Sequence, residues 1–162
     1  MKYYLDTEFD GPGGPLISIA LVREDGRSTY MILMEDAKDP WVQENVIPIL
    51  WDYPSSTPCI RTRNEENAKK HLEDYFKGDA FPHIIADWPT DFTYFTLLLL
   101  HEPALMINLG GITMSVVRTD AYPTDLPGAV QHNAAWDALA LKHLLEAPQT
   151  PATEPVWNDL AD

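Results

Sequence analysis

The chain begins with three short apolar segments that are separated by polar turns. Residues 2–6, 16–22 and 28–34 are rich in aliphatic and aromatic side chains, as is typical of β-strands. Glycines and prolines follow the first segment, and Asp25-Gly26 after the second favours a tight hairpin turn. This pattern predicts an antiparallel meander of three strands at the start of the fold.

Helix-like and strand-like segments alternate along the rest of the chain. Apolar spacing and capping residues predict a short helix over 40–45, a helix over 64–77, a strand over 81–86, and helices over 91–100 and 133–145. Residues 112–117 fit either a strand or part of an irregular insertion. We therefore predict an α/β fold, in which an antiparallel meander and parallel strands form one mixed β-sheet flanked by helices.

Length and composition predict one domain followed by a tail. The chain has 162 residues, which is enough for a single substantial hydrophobic core. We assign residues 1–147 to the domain. Residues 148–162 are rich in proline, threonine and acidic side chains, so we expect a C-terminal tail that packs loosely or onto a partner.

The sequence carries no signal for a membrane or for secretion. No apolar run approaches the ~20 residues that a membrane-spanning helix needs. The N-terminus reaches Asp6 too early for a signal peptide, and the single cysteine, Cys59, excludes an internal disulfide and a cysteine-rich zinc site. These features predict a protein of the reducing cytoplasm that does not bind a membrane.

Acidic residues at a few positions are spaced as metal ligands would be. Asp6 and Glu8 alternate along a predicted strand, so their carboxylates lie on the same face. Carboxylate oxygens are the ligands that Mg²⁺ and Mn²⁺ prefer. Taken alone, the pair fits a solvated strand end better than a metal site.

Two further segments place acids next to predicted helices. Asp87 comes directly after the predicted strand over 81–86, and Asp91 is the first residue of the predicted helix that follows. Asp137 lies among small alanines that would let its helix pack close to the sheet, where a buried acid needs a partner or a metal. His132 precedes Asp137 by five residues and is a candidate general base, with helix capping as its alternative role.

In combination, these segments resemble the DEDDh 3'-5' exonucleases of the RNase H-like superfamily. Asp6-Thr7-Glu8-Phe9 matches the first motif, and His132-x-Ala134-x-x-Asp137-Ala138 matches the third. The second motif usually has an asparagine where this chain has Asp87, so Asp91 is assigned as the ligand and Asp87 is kept as a second candidate. The resemblance covers roughly residues 2–145 and is strongest to small bacterial and phage exoribonucleases known from mycobacteria.

The resemblance implies an RNase H-like fold and two-metal hydrolysis of 3'-terminal phosphodiesters, with release of nucleoside 5'-monophosphates. Two Mg²⁺ or Mn²⁺ ions would be held by Asp6, Glu8, Asp91 and Asp137, and His132 would act as general base. The implied substrate is single-stranded or 3'-overhang RNA, with DNA left open, and a homodimer is also left open. Aromatic side chains that we expect either to stack on the terminal bases or to pack in the core are Phe9, Trp88 and Trp136.

The net charge of −14 fits this interpretation only in part. It argues against binding to long duplexes, because most of that affinity comes from neutralising phosphates. Two divalent ions would add about +4 where the scissile phosphate sits. Two alternatives remain: a small-molecule metallohydrolase that acts on nucleotides, and a non-catalytic RNase H-like nucleic-acid-binding module, which would usually have lost one or more acids.

Overall fold

The fold is described from a computed structural model that covers residues 1–102, 105–119 and 126–147. The predicted tail over 148–162 lies outside the described residues, so the division into a domain and a tail stays a prediction. Within the described part, none of the helices is both long and apolar enough to cross a membrane.

The predicted meander is present. Strands β1 (Lys2–Phe9), β2 (Leu16–Arg23) and β3 (Ser28–Ile32) pair in order, and both pairings are antiparallel. Strand β1 extends beyond the predicted end at residue 6, because its pairing with β2 continues to Phe9 with a register shift after Glu8. Asp6 and Glu8 therefore lie inside a hydrogen-bonded strand, which limits how far their backbone can move.

The remaining elements follow the predicted alternation with shifted bounds. They are α1 (Pro40–Asn45), a 3-10 helix (Ile47–Ile49), β4 (Cys59–Arg61), α2 (Glu65–Phe76), β5 (His83–Ala86), α3 (Pro89–Leu98), β6 (Leu100–Glu102), β7 (Leu105–Met106), β8 (Thr113–Val116) and α4 (Ala134–Glu146). Helix α3 starts two residues before the predicted residue 91, because Pro89 has the backbone angle that suits a first helical position. The predicted helical residue Leu100 instead begins β6.

Six strands of the described residues form one mixed sheet in the order β4-β3-β2-β1-β5-β8. Strand β5 runs parallel to β1 and to β8, and β4 runs parallel to β3. Residues 113–116 thus form a strand, which settles the alternative left open for this region. The predicted mixed α/β sheet flanked by helices is confirmed, and the architecture is consistent with an RNase H-like fold.

Helices pack on both faces of this sheet. Tyr3 and Leu5 of β1 belong to a core shared with α2 and α3, whereas Ala20 of β2 packs against the small residues of α4. Asp6 pairs with Ala20 across the β1–β2 ladder, so it lies on the α4 face. The alternation of side chains along β1 puts Glu8 on the same face and Thr7 on the opposite one. The metal-type acids of β1 therefore face the start of α4.

Candidate active site

Strand β1 lies between β2 and β5, so its carboxyl end is surrounded by other elements. Asp6 and Glu8 are both half-buried there. Because β5 runs parallel to β1, the residue that follows β5 emerges at the same edge of the sheet. That residue is Asp87, and Thr119 Oγ1 donates a hydrogen bond of 3.1 Å to its Oδ2.

Helix α3 brings Asp91 to this edge in its first turn. The side chain is only 2% exposed, and its Oδ1 accepts a hydrogen bond of 2.6 Å from Thr7 Oγ1. Thr7 lies between Asp6 and Glu8 in sequence but points to the opposite face of β1. Its hydroxyl thus ties the acid of α3 to the strand that carries the other two acids.

Helix α4 supplies the last acid. Asn133 caps this helix, because its Oδ1 accepts hydrogen bonds from the N–H groups of Ala135 and Trp136. Its Nδ2 donates a hydrogen bond of 2.8 Å to Ile49 O. Asp137 lies in the first turn and is 8% exposed. Its Oδ2 accepts the backbone N–H of His132 at 3.0 Å, so the histidine and the acid are held together.

The structure gathers the predicted residues into two adjoining groups. One group has Glu8, His132 and Asp137, and the other has Asp6, Asp87 and Asp91. Within each group, one potential ligand atom from each residue lies within 4.8 Å of the others. Asp87 and Asp91 were alternatives in the sequence, and the structure places both of them beside Asp6.

Burial and the crowding of like charges raise the pKa of Asp6, Glu8 and Asp91. The pKa of Asp6 lies well above its ordinary value, first because of burial and then because Asp137, Asp91, Glu8 and Asp87 are close. Burial and the charges of Asp137 and Asp91 raise the pKa of Glu8 to about 8. The pKa of Asp91 is raised to about 7 by burial and by Asp87, although the hydrogen bond from Thr7 opposes this rise.

Each of the two groups has the ligand types to hold a divalent cation. Oδ2 of Asp6 and Oδ2 of Asp91 are buried and accept no hydrogen bond from any residue that the structure describes. A buried carboxylate oxygen without a donor is costly, and a cation would compensate it and offset the repulsion between the acids. The ligand atoms are oxygens apart from one imidazole, which favours Mg²⁺ or Mn²⁺.

The acids open into a cavity of about 490 Å³. Its walls are formed by Asp6, Glu8, Asp91, Asp137 and His132 together with Thr7, Phe9, Trp41, Trp88 and Gln131. A larger cavity of about 750 Å³ elsewhere in the fold contains none of the predicted acids. Most of the candidate site residues therefore lie at the smaller cavity, and none of them lines the larger one.

The three predicted aromatic residues differ in their surroundings. Trp88 lines the cavity and is 63% exposed, so one face of its ring is open to a ligand. Phe9 also lines the cavity, but its ring stacks on Tyr94 at 4.9 Å between centroids. Trp136 is not among the described wall residues of this cavity, and its Nε1–H donates to Asp52 O at 2.6 Å.

Three wall residues, Thr7, Trp41 and Gln131, were not identified from the sequence as site residues. Thr7 was noted only as part of a motif, although a hydroxyl between two acids is a recognisable donor. Trp41 lies on α1, whose start was predicted, but nothing in the spacing of Asp39-Pro40-Trp41 places this helix beside β1. Only the tertiary structure brings α1 to the cavity.

Replacing Thr7 by valine is expected to weaken metal binding at neutral pH by about tenfold to 100-fold. Valine keeps the shape of threonine but removes the donor to Asp91, and a hydrogen bond to a charged group contributes about 1.5–3 kcal/mol. Without it, the pKa of Asp91 rises further, and protons compete more strongly with the cation. The rise in melting temperature during a Mg²⁺ or Mn²⁺ titration measures the affinity.

The matched control for this variant is Thr29→Val. Thr29 is also a buried threonine of the sheet, 2% exposed, and its hydroxyl bonds to His71 Nε2 at 2.6 Å, away from the acids. It is expected to change the melting temperature of the metal-free protein without changing the metal affinity. Equal affinities of the Thr7→Val variant and the unmodified protein would contradict the role given to Thr7.

The fold and the cavity define a mixed α/β protein with a buried, metal-type cluster of acids. No protein-family model matches the chain. The chain is similar to two curated proteins named 3'-5' exoribonuclease, from Mycobacterium tuberculosis strains CDC 1551 / Oshkosh and ATCC 25618 / H37Rv. Each is 35% identical to it over 85 residues, which cover 49% of this chain and 48% of the relative. The matched part is thus about half the length of these relatives.

Proposed function

We propose that this chain is a metal-dependent 3'-5' exoribonuclease that removes nucleoside 5'-monophosphates from the 3' end of RNA. The observation that carries the proposal is the pair of adjoining groups, Glu8–His132–Asp137 and Asp6–Asp87–Asp91, of which every member except Asp87 lines one cavity. The similarity to proteins named 3'-5' exoribonuclease supports the same activity and favours RNA over DNA.

Each residue of the cluster has a proposed role that follows from its position. Asp6 is proposed to contact both ions, since the charges of both groups act on its carboxyl. Glu8 and Asp137 would hold one ion with Asp6, and Asp91 would hold the other. Two Mg²⁺ or Mn²⁺ ions, when bound, supply charge to stabilise the attacking and leaving oxygens of the phosphodiester.

Asp87 is proposed to assist Asp91. In the exonuclease family that the chain resembles, the metal ligand of the second motif lies on the helix, as Asp91 does on α3. Asp91 is also more buried than Asp87. Asp87 is half-buried and already accepts a hydrogen bond from Thr119. With its carboxylate beside those of Asp6 and Asp91, it would add a further oxygen ligand for the ion that Asp91 would hold.

His132 is the proposed general base. A ring nitrogen of this residue lies within 4.8 Å of carboxylate oxygens of Glu8 and Asp137, so the ring faces the region where a nucleophilic water would be held. The imidazole would take the proton from that water as the water attacks the phosphorus. The half-buried position of His132 at the cavity wall leaves a path for the proton to solvent.

The substrate proposed is a short single strand or a 3' overhang. The cavity of about 490 Å³ is in the size range of small-molecule sites, and the exposed ring of Trp88 offers a surface for a terminal base. The net charge of −14 disfavours long phosphate-backbone contacts away from the ions. The cytoplasmic location stays a prediction from the sequence, and the formation of a homodimer is left open.

The test is incubation of the full chain with labelled RNA and DNA of several lengths, with Mg²⁺, with Mn²⁺ and with a chelator. We expect stepwise shortening of 5'-labelled RNA from its 3' end, release of nucleoside 5'-monophosphates and no reaction in the chelator. A 3'-phosphorylated RNA serves as the blocked control. Hydrolysis of free nucleotides without attack on oligomers would replace the proposal by a small-molecule metallohydrolase.

A further inference from the structure

His132 has a constrained backbone. Among the described residues it is the one non-glycine residue with a positive φ, at +64°. This left-handed conformation is unfavourable for a residue with a Cβ atom and persists only where surrounding contacts maintain it. One such contact is the hydrogen bond from His132 N to Asp137 Oδ2 at 3.0 Å. That bond fixes the backbone but leaves the rotation of the imidazole undetermined.

The ring of His132 is in contact with Trp41. The two ring centroids are 5.0 Å apart and the ring planes are inclined at 82°, an edge-to-face arrangement that is favourable between aromatic rings. Within the described residues, the hydrogen bond that His132 makes uses its backbone N–H and neither of its ring nitrogens. An aromatic contact therefore takes the orienting role that a carboxylate or carbonyl often has for a histidine base.

A chain of hydrogen bonds connects Trp41 to Asp10, the residue that follows β1. The carboxylate of Asp10 accepts the backbone N–H groups of Lys38 and Asp39 at 2.8–2.9 Å. Asp39 then caps α1, and its Oδ1 accepts the N–H of Trp41 at 2.8 Å. The strand that carries Asp6 and Glu8 is thus connected through α1 to the indole.

Close packing keeps this connection short. Gly11 has φ +71°, and a Cβ atom there would lie 2.9 Å from Asp39 Oδ2. The segment after β1 can therefore approach the start of α1 only with glycine at this position. The approach sets the position of Trp41 relative to the acids.

We propose that Trp41 is a positioning residue for His132, which keeps the imidazole directed at the water-binding side of the acidic cluster. This inference rests on the proposed function, because it treats His132 as the general base. Trp41 is 52% exposed, so its ring contributes less to the hydrophobic core than a buried tryptophan would. The aromatic contact that its ring makes among the described residues is with His132.

The chain offers a matched control for Trp41. Trp51 is 50% exposed, lies in the turn after the 3-10 helix, and is not among the described wall residues of the acidic cavity. Truncating either tryptophan removes a ring of the same size and similar exposure. Only the truncation of Trp41 removes a contact with His132.

In RNA hydrolysis, Trp41→Ala is expected to lower kcat by about tenfold to 100-fold with a smaller change in KM, because the base is misplaced rather than the substrate lost. Trp41→Phe, which keeps a ring edge or face near His132, is expected to restore most of kcat. Trp51→Ala is expected to stay within about twofold of the unmodified enzyme. A loss confined to KM, or equal kcat values for Trp41→Ala and Trp51→Ala, would overturn the positioning role.

A second measurement is independent of activity. The imidazole proton resonances of His132, assigned by comparison with a His132→Gln variant, carry a ring-current shift from Trp41 in the full-length metal-free protein. Trp41→Ala is expected to move these resonances, and Trp51→Ala to leave them in place. An unmoved His132 signal contradicts the contact itself. A moved signal in a protein that does not hydrolyse RNA rejects the proposed function and retains the contact.

Discussion

Replacing Asp6 by asparagine is expected to lower the rate of RNA hydrolysis by about 1,000-fold or more and, at the same time, to stabilise the metal-free protein. The loss follows from the proposed contact of Asp6 with both ions, whose charge stabilises the transition state. The stabilisation follows because burial and four neighbouring acids disfavour the ionised form of Asp6, whereas asparagine carries no charge at any pH.

Two measurements on the same variant test both halves of this prediction. Single-turnover hydrolysis of 5'-labelled RNA gives the rate, and thermal unfolding in a chelator gives the stability. The control is Asp74→Asn, which neutralises an exposed acid of α2 away from the cavity and is expected to change neither quantity appreciably. An Asp6→Asn enzyme that hydrolyses RNA at a near-normal rate would sink the assignment of the site.

The second large effect is a loss of stability of the metal-free protein as the pH rises, which a bound divalent metal ion is expected to offset. The pKa of Glu8 is raised to about 8 and that of Asp91 to about 7, so the folded protein keeps protons that the unfolded chain has already lost. Stability then falls as the pH rises, because the native state binds more protons than the unfolded state. This contribution is fully present below the ordinary carboxyl pKa and is lost through about pH 8.

Without metal, the melting temperature is expected to fall between about pH 5 and pH 8. With Mg²⁺ or Mn²⁺ at a fixed concentration of about 100 times its dissociation constant at pH 8, binding contributes about 2.7 kcal/mol at that pH, or about 5–10 °C for a chain of this size. The metal-induced rise should be larger at pH 8 than at pH 5, where protons compete for the carboxylates. Differential scanning fluorimetry over this pH range measures both.

Surface repulsion in a chain of net charge −14 also weakens the fold at high pH, so the cluster needs its own control. Glu8→Gln removes one of the shifted carboxyls and should flatten the decline in the metal-free protein. High salt screens exposed charges much more than buried ones and should leave the remaining decline of the unmodified protein in place. A decline that salt abolishes, or one that Glu8→Gln does not reduce, would contradict a buried origin.

The local pattern predicted most of the elements because it reflects short-range constraints. The three strands of the meander follow from apolar runs and a hairpin turn, and the predicted helix over 40–45 coincides with α1. Strand β4 was not predicted, since three residues after a proline carry too little periodicity to distinguish a strand from a loop. Its pairing depends on β3, which is distant in the sequence.

The candidate acids could be predicted because metal chemistry restricts the residue types that serve it. Alternation along β1 sets Asp6 and Glu8 on one face, and the short distance from β5 to α3 leaves Asp87 and Asp91 near one sheet edge. Both inferences depend on local geometry that the chain itself imposes. Whether these residues bind metal is a question for the experiments above.

By itself, the sequence determined the meander, the presence of the main helices and the set of acidic side chains, because each depends on neighbours a few residues away. The tertiary structure decided what these residues face. Parallel pairing of β5 with β1 brought Asp87 beside Asp6, and the packing of α1 after Gly11 placed Trp41 against His132. Such contacts join segments far apart in the chain, and their positions follow from sheet order and close packing rather than from residue spacing.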